Sequence, residues 1–301
     1  MQIHTIQQIH YLQGHKGGIY TLCHGFEDNS FLSAGSDGLI CKWNPDQNQN
    51  GVIIAQTGER LFSLLAFPAQ KVIFAGTMQG DLFHLNFKNE QMVKRFKFHQ
   101  PSIYRLAEWK DLLIVAAGDG IISIWNPENG DIINHLKITH QKLRSLDIDT
   151  ENDILYTGDA NGNLWILKLP EITLIDKIQN LHDKTIFSIK YLQTEKLLVT
   201  GGLDAHIKIC DGKGKIHQDI QAHWFCVNDI CDLTGTPFMA TASRDKTIRI
   251  WDKRDWSLVK EISSPKFATH LHSVNSLLWK EEELILYSAG DDGNIFGWKF
   301  E

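Results

Sequence analysis

The sequence predicts an all-β fold: seven small four-stranded antiparallel sheets set radially into one closed ring. Three observations predict it. A glycine-rich turn carrying Asp, Asn or Gln recurs at Asp37, Gln79, Asp119, Asn161, Asp204, Asp245 and Asp292, with gaps of 42, 40, 42, 43, 41 and 47 residues. Six positions after each stands a large or apolar residue, in turn Trp43, Leu85, Trp125, Leu167, Cys210, Trp251 and Trp298. Between these marks the chain reads as short strands joined by tight turns, and an internal period near forty marks an architecture of repeated units.

The stretch after His223 shows one unit. Val227 and Ile230 open a first strand, and Phe238–Ser243 reads as a second. Residues 247–252 alternate apolar and polar, the period of a half-buried strand, and 256–262 supply a fourth. One such sheet cannot bury both faces alone. Stacked around an axis, each sheet covers the next, which is the logic of a propeller blade. The 301 residues would by length suggest about two domains, but no Pro/Ser-rich or charged linker interrupts the register, so residues 1–301 are expected to close as one.

The repeat resembles the WD-repeat (WD40-type) β-propeller family. There a loop His precedes the turn Asp by about 22 residues, a Ser or Thr precedes it by four, and a Trp follows by six. His15, Ser33, Asp37 and Trp43 match all four places, as do His223, Thr241, Asp245 and Trp251, and His270, Ser288, Asp292 and Trp298. These types at this spacing can form one chain of bonds: indole N–H to hydroxyl, hydroxyl to one imidazole nitrogen, the other imidazole N–H to carboxylate. Each link contributes about 0.5–1.5 kcal/mol net, more where the carboxylate takes part.

The other units depart from the pattern. The second has Thr57, Ala75, Gln79 and Leu85 in the four places and is placed by spacing and strand pattern alone. The third keeps His99, Asp119 and Trp125, with Val115 where a hydroxyl is expected. The fourth keeps His140 and Thr157 beside Asn161 and Leu167, and its first loop is one residue short. The fifth keeps His182, Thr200 and Asp204, with Cys210 for Trp. Only Lys299, Phe300 and Glu301 follow Trp298, too few for a fourth strand, so residues 3–12 are expected to supply it and close the ring.

A net charge of −6 and a pI near 6.1 disfavour a nucleic-acid-gripping face, which needs basic surface. Residues 1–14 lack the basic and apolar regions of a signal peptide, and no apolar run approaches a membrane span. Five cysteines without a CxxC pair fit reduced thiols, so a cytoplasmic protein with no membrane role is expected.

No nucleophile elbow, P-loop or dinucleotide fingerprint occurs. The repeat gives the blade histidines, His15, His99, His140, His182, His223 and His270, a structural role. His270 and His272 form a chelating pair with no third ligand in sight. No catalytic, metal or cofactor site is therefore expected.

The resemblance instead implies a non-catalytic scaffold that holds a protein or peptide on its top face. That face is lined in the family by residues three and five after the loop His and one before the turn acid. Carried over, these places give Tyr20, Arg60, Phe62, Met78, Tyr104, Lys142, Arg144, Phe187, Leu203, Asn228 and Arg244, with Asn275 and Asp291 completing the seventh unit. Aromatics and Arg are the stuff of interface hot spots, and the cations suit an acidic or phosphorylated peptide. Such a chain would be a monomer by itself or one subunit of a hetero-complex. Two rivals stand beside this reading: a propeller hydrolase or lyase with a small-molecule site in the central channel, and a fixed structural subunit contacting partners through its blade sides. Residues 263–269 account for the longest gap, an insertion that is either a second contact or a neutral loop.

Overall fold

A computed structural model describes residues 5–27, 29–45, 48–88 and 92–301. Its strands form seven four-stranded blades, six of them running outward from an innermost strand in chain order and the seventh completed by the N-terminal strand. The innermost strands are Ile19–His24, Leu61–Phe67, Ile103–Trp109, Leu143–Asp149, Ile186–Leu192, Val227–Leu233 and Val274–Lys280, and they number the blades 1 to 7. Position within the blade explains each strand's sequence. The second strand of blade 6, Phe238–Ser243, is buried along its whole length because neighbouring sheets cover both its faces. The outermost strand of blade 4, Thr173–Ile178, has no sheet beyond it and is largely exposed, its Leu174 and Ile175 included.

The ring closes as the sequence implies. Ile6–Gln13 pairs antiparallel with Asn294–Phe300, from Ile6 opposite Phe300 to Gln13 opposite Asn294. It thereby supplies the outer strand of blade 7 and buries Ile6 and Leu12. A single parallel bridge from Gln13 to Asn50 joins this strand to the edge of blade 1, so blades 7 and 1 form one eight-stranded sheet. Ile3 and His4 of the expected closing segment lie outside the described residues.

The apolar core is distributed rather than central. One buried cluster fills each of the seven gaps between adjacent blades. The blades approach closely enough to exclude side chains at set points. A Cβ added to Gly158 on blade 4 would lie 2.5 Å from Ile186 Cβ on blade 5. Beside it Ser145 Oγ donates across the gap to the Ile186 carbonyl at 2.9 Å. The 263–269 insertion folds onto the closure: Phe267 packs edge-on against Trp298 at 5.9 Å and joins the core between blades 6 and 7. Among the described residues no helix is long and apolar enough to cross a membrane.

Candidate partner-binding site

The polar chains that hold the blade turns are present where the spacing is complete. In blade 1 Trp43 Nε1 donates to Ser33 Oγ at 2.7 Å, Ser33 Oγ meets His15 Nε2 at 2.7 Å, and His15 Nδ1 meets Asp37 at 2.9 Å. The corresponding distances are 2.9, 2.8 and 3.0 Å in blade 6 and 2.9, 3.0 and 3.0 Å in blade 7. Each carboxylate also accepts the backbone N–H one residue after its His, from Lys16, Trp224 and Leu271. Burial pushes the Asp245 and Asp292 carboxyls up, but the bond to the His and its charge outweigh it and hold both below the usual range. His270, the one member of the possible chelating pair that is buried, gives both ring nitrogens to Ser288 and Asp292.

Blade 3 is more complete than its sequence suggests. Val115 is silent, yet Ser123, directly opposite it on the next strand, receives Trp125 Nε1–H at 2.7 Å and meets His99 Nε2 at 2.8 Å. The hydroxyl has moved one strand across, and His99 still holds Asp119 at 3.0 Å. Blade 5 keeps His182 on Thr200 at 2.8 Å and on Asp204 at 2.9 Å, with Cys210 buried where the indole would stand.

Blade 4 overturns its assignment. His140 is exposed and takes no part, and Thr157 donates instead to the Ser145 carbonyl at 2.8 Å. The spacing put His140 in the right slot, but Asn161 offers no carboxylate to receive it. Asp159, two positions earlier, holds this turn, accepting from Asn161 N, Asn163 N and Trp165 Nε1 at 2.8, 3.0 and 3.0 Å. In blade 2 Thr77 Oγ1 accepts the N–H groups of Gln79 and Asp81, and the Arg95 guanidinium joins Asp81 to Glu59.

The mouth of the ring is shaped by one repeated irregularity. Every innermost strand loses register at its second residue, leaving Tyr20, Phe62, Tyr104, Arg144, Phe187, Asn228 and Asn275 as unpaired bulge residues. A bulge re-aims its side chain and sharpens the local twist. All seven bulge residues line one open cavity of about 330 Å³, together with Arg105 and Asp291. Tyr20 and Phe62 lie 5.4 Å apart, Phe62 stacks on Tyr104 at 5.6 Å, and the Arg144 guanidinium sits 3.9 Å from the Tyr104 ring centre and 4.8 Å from that of Phe187. Burial works against the Arg144 charge. It also raises the Tyr104 phenol, but the Ser102 hydroxyl and the Arg144 guanidinium more than reverse this.

On the other side the polar groups satisfy one another. Asn228 Nδ2 donates to Ser273 Oγ at 2.9 Å, and Asn275 Nδ2 donates to Asp291 at 2.8 Å. Arg105 spans the ring from blade 3 to blade 6, donating to the Asn228 carbonyl at 3.2 Å and to Asp229 at 3.3 Å. It borders the upper cavity and two lower ones and so forms the floor of a pit.

Of the predicted face, then, Tyr20, Phe62, Tyr104, Arg144, Phe187 and Asn228 come together in the pit. Arg60, Met78, Lys142, Leu203 and Arg244 are exposed on the surrounding loops and do not line it. Sequence reasoning missed Arg105 and, above all, Trp224 and Phe225, which are 76% and 57% exposed. They occupy the two places after the loop His, where blade 1 has Lys16 and Gly17 and blade 5 has Asp183 and Lys184. Two bulky rings in a slot that is polar or glycine in blades 1 and 5 were the available signal. Their backbone is held by Trp224 N–H to Asp245 at 3.0 Å and Ser243 Oγ to the Phe225 carbonyl at 3.2 Å. The Ala205 carbonyl accepts from Ala222 N and His223 N, which brings the blade 5 turn that carries Leu203 beside this loop.

Comparison with known proteins agrees with this architecture. The family model "WD domain, G-beta repeat" matches residues 6–44, 176–211 and 214–252. Eukaryotic translation initiation factor 3 subunit I of Brugia malayi is 29% identical over 48% of this chain and 48% of its own length. WD repeat-containing protein 36 of Homo sapiens is 24% identical over 67% of this chain and 23% of its own. The chain thus spans about half the length of the first and about a quarter of the second. The WD40 β-propeller domain of Doa1 superposes with a TM-score of 0.86 at 16% identity, covering 99% of this chain and 97% of that one. With seven radial blades, and with the His, hydroxyl, Asp and Trp chain intact in blades 1, 6 and 7, this chain carries WD repeats at the matched residues and has the WD40 β-propeller fold.

Proposed function

We propose that this chain is a non-catalytic scaffold, one domain throughout, that binds a protein or peptide partner on its top face. The observation that carries the reading is the pit and its crown. Five consecutive blades supply an unbroken aromatic and guanidinium arc, and Trp224, Phe225, Leu203 and Met78 stand exposed on the loops of that face. Aromatic and Arg side chains on backbone already fixed by sheet and turn can bind with little loss of entropy. Arg60, Lys142, Arg144 and Arg244 suit a partner segment that is acidic or phosphorylated. A cytoplasmic role within a larger assembly accords with a relative that is by name a subunit of a translation factor.

One observation favours a second reading, a structural subunit held by its blade sides. Ile132, Ile133 and Leu136 on the outer strand of blade 3 and Leu174 and Ile175 on that of blade 4 are exposed, and Asn134 Nδ2 links the two regions by donating to the Pro170 carbonyl at 3.0 Å. Quantitative affinity purification separates the readings. Intact protein is compared with Phe62→Ala/Arg144→Ala/Phe187→Ala, with Trp224→Ala/Phe225→Ala and with Ile133→Asn/Ile175→Asn. Partners lost from the first two variants and retained by the third support the top face. The reverse pattern supports the blade sides, and recovery unchanged in the first two removes the top-face reading.

A further inference from the structure

Arg144 differs from every other cation around the pit. Its guanidinium lies against Tyr104 of the preceding blade and Phe187 of the following one, at 3.9 and 4.8 Å. Rings on neighbouring blades flank it, Tyr104 also serves it as a side-chain hydrogen-bond partner, and the N–H groups Tyr104 does not take are the part left to bind. Among the described residues no carboxylate ion-pairs with it. Asp229 is engaged by Arg105 at 3.3 Å, and Asp291, on blade 7, accepts from Asn275. The neighbouring charge is another guanidinium, that of Arg105, which works against it. A partly buried guanidinium without a counter-ion is costly to hold. A planar fork stacked between rings is also preorganised to grip an oxyanion through two parallel bonds. The cavity of about 330 Å³ leaves room for such a group with a flat body beside it, against Tyr20 and Phe62.

We propose that the pit is an oxyanion receptor, in which Arg144 takes one carboxylate or phosphate group edge-on while the Tyr20–Phe62 wall packs the body that carries it. The inference rests on the top-face reading above, whose partner would bring the group as an acidic or phosphorylated side chain.

Phenyl phosphate, benzoate and neutral benzyl alcohol, titrated into the full chain and followed by ligand-observed NMR, test it. Both anions bind and benzyl alcohol binds at least tenfold more weakly. The tighter anion tells whether phosphate or carboxylate is the preferred source. Arg144→Gln weakens both anions at least tenfold, whereas Lys137→Gln on the outer strand of blade 3 leaves them unchanged. Should Arg144→Gln melt early, Arg144→Lys carries the test: it keeps charge without the fork and weakens both anions at least threefold. Anions that bind no better than benzyl alcohol, no binding at millimolar concentration, or full affinity in the Arg144 variants would overturn the proposal. Loss of anion binding alongside capture that still depends on Trp224 and Phe225 removes only this inference. Anion binding without any such dependence removes the top-face reading instead.

Discussion

Ser123→Ala probes the relocated hydroxyl of blade 3. Ser123 Oγ is the sole bridge between Trp125 Nε1 at 2.7 Å and His99 Nε2 at 2.8 Å, and all three residues are buried. Alanine removes the bridge without opening room for water, leaving an indole donor and an imidazole nitrogen unsatisfied. Each buried orphan costs about 1–3 kcal/mol, so a loss of about 2–4 kcal/mol is expected after modest relaxation. Val115 faces Ser123 across the ladder and is fully buried. Val115→Thr returns a hydroxyl to the place where Thr200 and Thr241 serve blades 5 and 6. The double variant Val115→Thr/Ser123→Ala is therefore expected to regain at least half the loss. Reversible urea unfolding followed by tryptophan fluorescence measures both. A Ser123→Ala cost below about 0.5 kcal/mol, well under one orphaned group, or no recovery in the double variant, would refute the bridging role.

Deleting residues 1–12 removes the closing strand; Ile6 and Leu12 alone account for about 3–6 kcal/mol of burial, so a thermal melt as high as that of the full chain would place the seam elsewhere. Burial pushes the Asp204 carboxyl up, but the bond and charge of His182 and the N–H groups of His206 and Asp183 bring it from 3.8 to about 2. A carboxyl depressed by folding stabilises above its unfolded value and loses that contribution as pH falls through the folded one. Stability should therefore drop between pH 3.8 and about 2, and Asp204→Asn should flatten that part of an acid titration; an unchanged slope would exclude the link. Burial pushes the Cys23, Cys41 and Cys210 thiols up to about 12, so none should react with a thiol reagent at pH 8 until the chain unfolds, as mass spectrometry of labelled native protein would check. Gly158→Val forces a side chain onto Ile186 and should cost about 1–3 kcal/mol in the same urea assay, with wild-type stability as the contrary result.

Blade count, ring closure and three complete polar chains were legible because each depends on a fixed spacing. What was not legible depends on geometry across strands. A search along the chain finds Val115 at the expected offset and stops, while the ladder places Ser123 opposite it, within reach of the same His. The same search accepts His140, since spacing reports the slot and not whether a carboxylate waits there. The pit residues were found through their offset from the loop His, although the bulge that turns them inward leaves no mark in composition. Arg105 escaped because it stands on the bulge's far side, one place beyond the template, and acts across the ring. Trp224 and Phe225 escaped because the template assigns those two places nothing.

The blades that abandoned the His–Asp pairing show what it is needed for. Blades 2 and 4 lack it, yet both bulge at the same residue as the rest, presenting Phe62 and Arg144 to the pit. The pairing therefore does not shape the mouth; it ties the loop before each blade to the turn beside it. In blade 2 the Arg95 cluster with Glu59 and Asp81 does that work, and in blade 4 Asp159 binds its own turn and leaves the loop at His140 exposed. These same two blades contribute Arg60, Lys142 and Arg144, three of the four cations predicted for the face, the fourth being Arg244. In blade 4, then, the turn is pinned from within and the loop that carries Lys142 is not tied to it, while neighbours that bury both flanks keep the blade in the ring.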